Sequence, residues 1–223
     1  MTLASMAQKT CFPFESSRES RAALTLSHAS VAALFDRLYG DHLTAFERTR
    51  SLLDGTAKLA EAVISVLGSG GKLLLCGNGG SAADAQHIAT EFTVRFETTR
   101  PGLPAIALTT DTSALTAASN DLGYARVFAR QVDALGRPGD MLIGFTTSGD
   151  SPNVVAALEA AAAAGLHTAC LTGRDGGDVA RRGLAEHCLI VPHDRTARIQ
   201  EMHIFLGHLL CAAADEAFTP PAG

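Results

Sequence analysis

From Lys72 onward the chain alternates short, unbroken apolar runs with helical stretches, and this alternation restricts the possible folds more than any other feature. The runs are KLLLC (72–76), PAIAL (104–108), DMLIGF (140–145), LHTACL (166–171) and HCLIV (187–191). None has the polar residue at every second position that marks a half-exposed strand, so each reads as a strand buried on both faces. Helical stretches at 81–96, 124–135, 153–164 and 177–183 separate or follow them, and a long helix is expected near 196–217. Strand–helix alternation of this kind predicts an α/β fold, a parallel sheet with helices on both faces. In such sheets ligands bind beyond the carboxyl ends of the strands, which directs attention to the loop after each strand.

Ahead of the alternation, residues 27–67 carry apolar side chains such as Val31, Leu34, Phe35 and Leu38 at helical spacing. Gly40-Asp41 is expected to interrupt this helix. A second helix is expected through AFERTRSLLDGTAKLAEAVISVL, closed by Gly68-Ser69-Gly70-Gly71. The expected organisation is a flexible tail at 1–24, a helical segment at 25–69, the α/β domain at 70–218, and a short tail at 219–223. Residues 1–24 are polar and irregular, with no apolar segment of signal-peptide length, so a secretory signal is not expected; a transit peptide and a start at Met6 are the alternatives to a plain tail.

Composition narrows the function classes. With 47% hydrophobic and 18% charged residues in 223, the chain has material for a sizeable core. No apolar run reaches the roughly 18–20 residues of a membrane span, so no membrane association is expected. The net charge of −5 comes without a basic stripe and argues against nucleic acid. The five cysteines (Cys11, Cys76, Cys170, Cys188, Cys211) are odd in number, never spaced C-x-x-C, and four have aliphatic neighbours. They read as small buried hydrophobes in a reducing cytoplasm rather than as disulfides or a Cys-rich zinc site.

Two loops invite a phosphate. After the first strand comes Gly77-Asn78-Gly79-Gly80-Ser81, where glycines admit close backbone approach and a helix N-terminus follows. Ser81 suits either a helix N-cap or a ligand contact. The same loop fits a loose dinucleotide pattern, Gly77-x-Gly79-x-x-Ala82. The acidic ribose binder of that pattern is missing, since Asp111 comes about nine residues too late. After the third strand comes Thr146-Thr147-Ser148-Gly149-Asp150-Ser151-Pro152-Asn153, with Ser151 as N-cap and Pro152 in the first turn. Its hydroxyls and helix N-terminus form a charge-neutral cradle.

Titratable groups cluster on two helices. His87 and Glu91, four residues apart, share a helical face and can ligate a divalent metal or serve as acid and base. On the last helix, Gln200 and His208 are separated by about 12 Å along the axis and roughly 80° around it. They therefore meet at one point only through long side chains or a neighbouring subunit, with Glu201 and His203 as possible stand-ins.

These residues fall in a pattern with a known counterpart. The motifs GNGGSAADAQHIATEF (77–92), RPGLPAIALTTDTSALTAASNDLGY (100–124), FTTSGDSPN (145–153), LTGRDGG (171–177) and ARIQEMHIFLGH (197–208) resemble the sugar-isomerase (SIS) domain of the phosphoheptose, or sedoheptulose 7-phosphate, isomerases. The resemblance runs from about Leu67 to Phe218. It implies a single SIS domain: a five-stranded parallel sheet flanked by helices, a flavodoxin-like three-layer sandwich, with N-terminal helices that join a homotetramer. It also implies a zinc ion held by His87, Glu91, Gln200 and His208, with Glu91 as catalytic base and His208 as its acid/base partner. Sugar-phosphate contacts are implied at Asn78, Gly79, Gly80, Ser81, Glu91, Asn120, Asp121, Thr146, Thr147, Ser148, Ser151 and Gln200. The chain departs from the family where Thr146-Thr147-Ser148 replaces the common Ser-Thr-Ser; threonine keeps the hydroxyl and adds a methyl. The implied reaction serves heptose biosynthesis, for lipopolysaccharide or nucleotide-heptose.

RFETTRPGLPAIAL and ARIQEMH look equally like a related SIS-domain protein that binds the bacterial replication initiator without established catalysis. That relative lacks the carboxylate at Glu91 and the imidazole at His208. This chain has both, which favours the isomerase.

Overall fold

The computed structural model describes residues 26–220. The expected tail at 1–24, with Cys11, lies outside the described residues. The chain divides into two units, Met1–Tyr39 and Gly40–Gly223. Of the first, the described part is chiefly the opening turns of helix α1 (His28–Thr49), where Phe35 and Tyr39 are exposed.

The second unit is built on five parallel strands: β1 (Leu73–Gly77), β2 (Ala105–Ala107), β3 (Met141–Thr146), β4 (His167–Gly173) and β5 (His187–Val191). Their order is β2-β1-β3-β4-β5. The order reverses between β1 and β3, the switch point at which open α/β sheets bind ligands. β1 and β3 are buried throughout, and β4 is buried from Thr168 to Gly173, as unbroken apolar runs require. The edge strands are less enclosed. β2 is only three residues long, and its Ile106 is exposed.

Helices α2 (Leu53–Gly68), α3 (Gly80–Thr93), α4 (Thr112–Leu122), α5 (Ala129–Leu135), α6 (Pro152–Ala163), α7 (Gly177–Arg181) and α8 (Thr196–Phe218) complete the unit. Alternate strand residues feed two separate cores. Leu73, Leu75, Met141 and Ile143 pack with Leu59 and Val63 of α2, Ile88 and Phe92 of α3, and Leu206 of α8. Leu74, Cys76 and Leu142 pack with Val132 of α5 and Val154 and Leu158 of α6 on the other face. Cys76, Cys170 and Cys211 are buried free thiols and Cys188 is half-buried, the role their aliphatic neighbours predict. No helix among the described residues is long and apolar enough to cross a membrane.

Three elements differ from expectation. α1 continues through Gly40-Asp41, and the chain breaks only at a 3₁₀ turn, Arg50–Leu52. A helical glycine costs only about 1 kcal/mol, and Asp41 is tied to Arg195 at 2.7 Å and to His193 at 3.2 Å. α4 was not foreseen, because TSALTAASNDL has little apolar periodicity. A cap marks its start: the Ala114 N–H donates to the Asp111 carboxylate at 2.9 Å. Asp111 is thus a helix cap. The expected helix at 124–135 resolves into a 3₁₀ turn, Tyr124–Arg126, followed by α5.

Candidate active site

The two polar loops meet at the switch point because β1 and β3 are neighbours. Asn78, Gly79, Gly80 and Ser81 from one loop, Thr146, Thr147 and Ser151 from the other, and Gln200 from α8 line a cavity of about 310 Å³. Thr146 Oγ1 and Ser151 Oγ are hydrogen-bonded at 3.0 Å, which fixes two of the hydroxyls. Ser148 stays within its loop, where its hydroxyl accepts from the Asp150 N–H at 3.2 Å. Ser151 is the N-cap position of α6 and Pro152 its first residue, as the sequence predicts. Of the two roles left open for Ser81, the cap falls away. α3 begins earlier, with Gly79 at its N-cap, and Ser81 is a buried wall of the cavity. Gly80 lies against Gln200, whose amide would sit only 2.5–2.9 Å from a Cβ placed there.

The titratable groups gather farther along α3. Gly207 makes this possible: a Cβ at that position would lie 2.6 Å from Ile88 Cδ1, so α8 approaches α3 closely only because none exists. At the next residue, His208 Nε2 stands 3.1 Å from His87 Nε2, and His87 Nε2 stands 3.3 Å from Glu91 Oε1. The Phe96 ring packs beside His208 with centroids 5.2 Å apart. Burial, reinforced by neighbouring His87, holds the His208 imidazole below its ordinary value despite Glu91 and Glu97, so it is neutral at pH 7. The trio is two close pairs sharing His87; among the described residues no three such side chains form a ready-made metal cluster. Gln200, the fourth residue of the implied ligand set, lines the smaller cavity instead, consistent with its separation of about 12 Å from His208 along the helix axis.

The sequence did not reveal what holds this end of α3. Arg100 is buried; its guanidinium donates to the carbonyls of Glu91 (3.0 Å) and Phe92 (2.9 Å) and to Asp215 of α8 (2.7 Å). Asp215 also accepts the N–H groups of Glu97 and Thr98. Asp84, one turn before His87, has a buried Oδ2 without a hydrogen-bond partner, and burial pushes its carboxyl up to about 6. Thr196 and Phe145 also line the cavity. Nothing in their local sequence distinguishes these residues from core or helix-start positions.

Some expected residues lie elsewhere. Asn120 and Asp121 are exposed at the end of α4, hydrogen-bonded to each other at 2.7 Å. Asp121 borders a second cavity of about 820 Å³ between α4 and α5, which lacks the convergent hydroxyls of the smaller one. The structure therefore does not bring this pair to the smaller cavity. His203 is no stand-in ligand. It is fully buried, donates Nε2–H to the Thr172 carbonyl at 3.1 Å, and burial lowers it to about 4. Glu201 is likewise engaged away from the site, paired with His42 at 2.7 Å and Arg198 at 2.6 Å.

The chain is similar to several known proteins. The family model for the SIS domain matches residues 39–173. A phosphoheptose isomerase of Roseiflexus sp. (strain RS-1) is 61% identical over 160 residues, 70% of this chain and 79% of that protein. Another, from Paramagnetospirillum magneticum, is 49% identical over 190 residues, 85% of this chain and 98% of that protein. The solved structure of a phosphoheptose isomerase from Neisseria gonorrhoeae superposes with a TM-score of 0.78 at 46% identity, covering 83% of this chain and 99% of that one. With a family model matched over more than half of the chain and relatives this similar over most of both lengths, the chain belongs to the SIS-domain family of phosphoheptose isomerases.

Proposed function

We propose that the chain interconverts D-sedoheptulose 7-phosphate and D-glycero-D-manno-heptose 7-phosphate, an aldose–ketose isomerisation feeding heptose biosynthesis. One observation carries this reading above the others: the Glu91 carboxylate and the His208 imidazole of α8 both lie within 3.3 Å of His87 Nε2, and His87 and Glu91 are on α3, the helix that begins at the phosphate cavity. Gly80 and His87 are about 10 Å apart along the α3 axis, on the scale of an extended seven-carbon sugar phosphate. Hydroxyls of Thr146, Thr147 and Ser151, with the loop N–H groups, hold the phosphate and so fix the distance to the reacting carbons. Glu91 takes the weakly acidic proton beside the carbonyl and returns it to the neighbouring carbon. His208, held neutral, moves protons at the oxygens of the enediol. The replacement of Ser by Thr at 146 is compatible with phosphate binding, since its hydroxyl is retained and bonded to Ser151.

The same trio supports a zinc ion. Two imidazoles and a carboxylate are donors zinc accepts, and His208 Nε2 and Glu91 Oε1 lie 3.1 and 3.3 Å from His87 Nε2, two close pairs rather than a formed three-ligand cluster. His87, Glu91 and His208 would hold it, with Gln200 as the fourth ligand implied by the family. When bound, zinc would polarise the substrate carbonyl. Exposed Phe35, Tyr39, Leu43, Phe46 and Leu53 on the amino-terminal helices favour a homotetramer assembled through segment 25–69, ahead of an SIS domain at 70–218. A cytoplasmic setting suits the four free thiols. The initiator-binding alternative has no support from the matched isomerases.

The test is product formation by the purified, zinc-supplemented protein given sedoheptulose 7-phosphate. Appearance of the aldose phosphate supports the reading, and none over a long incubation overturns it.

A further inference from the structure

Asn78 is the one side chain of the phosphate cavity whose hydrogen-bonding capacity is almost fully spent on other residues. Its Oδ1 accepts from Asn153 Nδ2 at 2.8 Å and from the Tyr124 hydroxyl at 2.9 Å. Its Nδ2 donates to Asn153 Oδ1 at 2.8 Å. A carbonyl oxygen has two lone pairs and an amide nitrogen two hydrogens. Both acceptor sites of Asn78 are therefore used, and one N–H remains. Asn153, in the first turn of α6, is only 1% exposed. Without its reciprocal partner it would be a buried, unsatisfied amide, so the pairing is strongly enforced. Tyr124 is 58% exposed and comes from the turn after α4, away from both loops.

We infer that Asn153 and Tyr124 are positioning residues: together they lock the Asn78 amide so that it offers the bound sugar phosphate a single N–H donor and no acceptor. An unlocked amide turns over freely and presents its oxygen to the ligand in part of the population. The locked one selects for an acceptor, a sugar oxygen or carbonyl, at that point. Neither positioning residue lines the cavity; both act through Asn78. The same contacts join three segments, the loop after β1, the start of α6 and the turn after α4. This gives the region around Asn120 and Asp121 a mechanical link to the site it does not enter.

The inference rests on the isomerase reading, and its test separates the two. Steady-state kinetics with sedoheptulose 7-phosphate are measured for the unaltered chain, Asn153→Ala, Tyr124→Phe, Asn78→Ala, and each positioning change in the Asn78→Ala background. Inorganic phosphate serves as competitive inhibitor throughout. Tyr124→Phe removes one exposed O–H and leaves folding intact, so it keeps the test sound should Asn153→Ala fold poorly. Losing one or two such bonds predicts KM raised about three- to tenfold, with kcat within about twofold. The phosphate inhibition constant stays unchanged, and neither change adds to the effect of Asn78→Ala. The inference is overturned if KM is unaltered, if phosphate and sugar phosphate weaken by the same factor, or if the effect persists without Asn78. No turnover by the unaltered chain overturns the isomerase reading, and this inference with it.

Discussion

Single residues set the protonation states on which this site and its fold depend. His203 is the clearest case: lowered by burial to about 4 in the folded chain, against roughly 6.5 unfolded. A depressed histidine contributes stability that is fully present above the unfolded value and lost as pH falls towards the folded one. Stability should therefore decline between about pH 6.5 and 4, with a slope approaching ~1.4 kcal/mol per pH unit from this one group. Asp84, which burial raises to about 6, acts in the opposite sense over much of that range. Urea unfolding should therefore show the His203 contribution as the difference between the unaltered chain and His203→Gln, the unaltered chain losing more stability as pH falls. An equal slope in the variant would remove His203 as the cause. Arg100 and Asp215 make a different prediction. The pair is buried, with Arg100 Nε 2.7 Å from the Asp215 carboxylate. Removing one partner strands the other, at a cost of about 3–5 kcal/mol. Arg100→Met should lower the unfolding midpoint accordingly, and it should also slow turnover, because the same guanidinium holds the Glu91 carbonyl.

At the scale of elements, what the sequence made legible followed burial. β1, β3 and β4 were readable because a strand enclosed on both faces has no room for polar residues, and KLLLC, DMLIGF and LHTACL have almost none there. α4 was unreadable because it lies mostly exposed, with Ala118 its one buried residue, and starts on an Asp111 cap within a threonine-rich stretch. The two loops that line the smaller cavity were legible as candidates because glycine and hydroxyl clusters at strand ends have few other uses. Tyr124, Asn153 and Arg100 were not, since each acquires its role from a partner distant in sequence, such as Asn78 and Asn153, 75 positions apart. The approach of α3 to α8 yields a direct prediction. Gly207→Val places methyls where Ile88 stands and costs about 1–3 kcal/mol in overpacking. The larger effect should be on catalysis, with kcat reduced at least about tenfold as His208 is pushed from His87. Retained full activity would mean that the 3.1 Å imidazole contact is not needed.

At the scale of the whole molecule, the net charge of −5 and an anionic substrate are compatible because the proposed cradle would use neutral hydroxyls and backbone N–H groups rather than a field of cations. Acid should unfold the molecule in a second stage. Asp140 and Asp215 are buried, which alone would raise them, yet N–H donors with Lys72 and Arg100 respectively hold both below the usual carboxylate value. Their contribution is present above the unfolded value near ~3.9 and is lost as pH falls through their lower folded values. The central claim is that Glu91 moves a carbon-bound proton, and nuclear magnetic resonance of the heptose phosphates in deuterated water tests it most directly. The account predicts solvent deuterium at the carbon beside the carbonyl with the unaltered chain, and loss of both exchange and turnover in a folded Glu91→Gln variant. Exchange at an undiminished rate in that variant would contradict it.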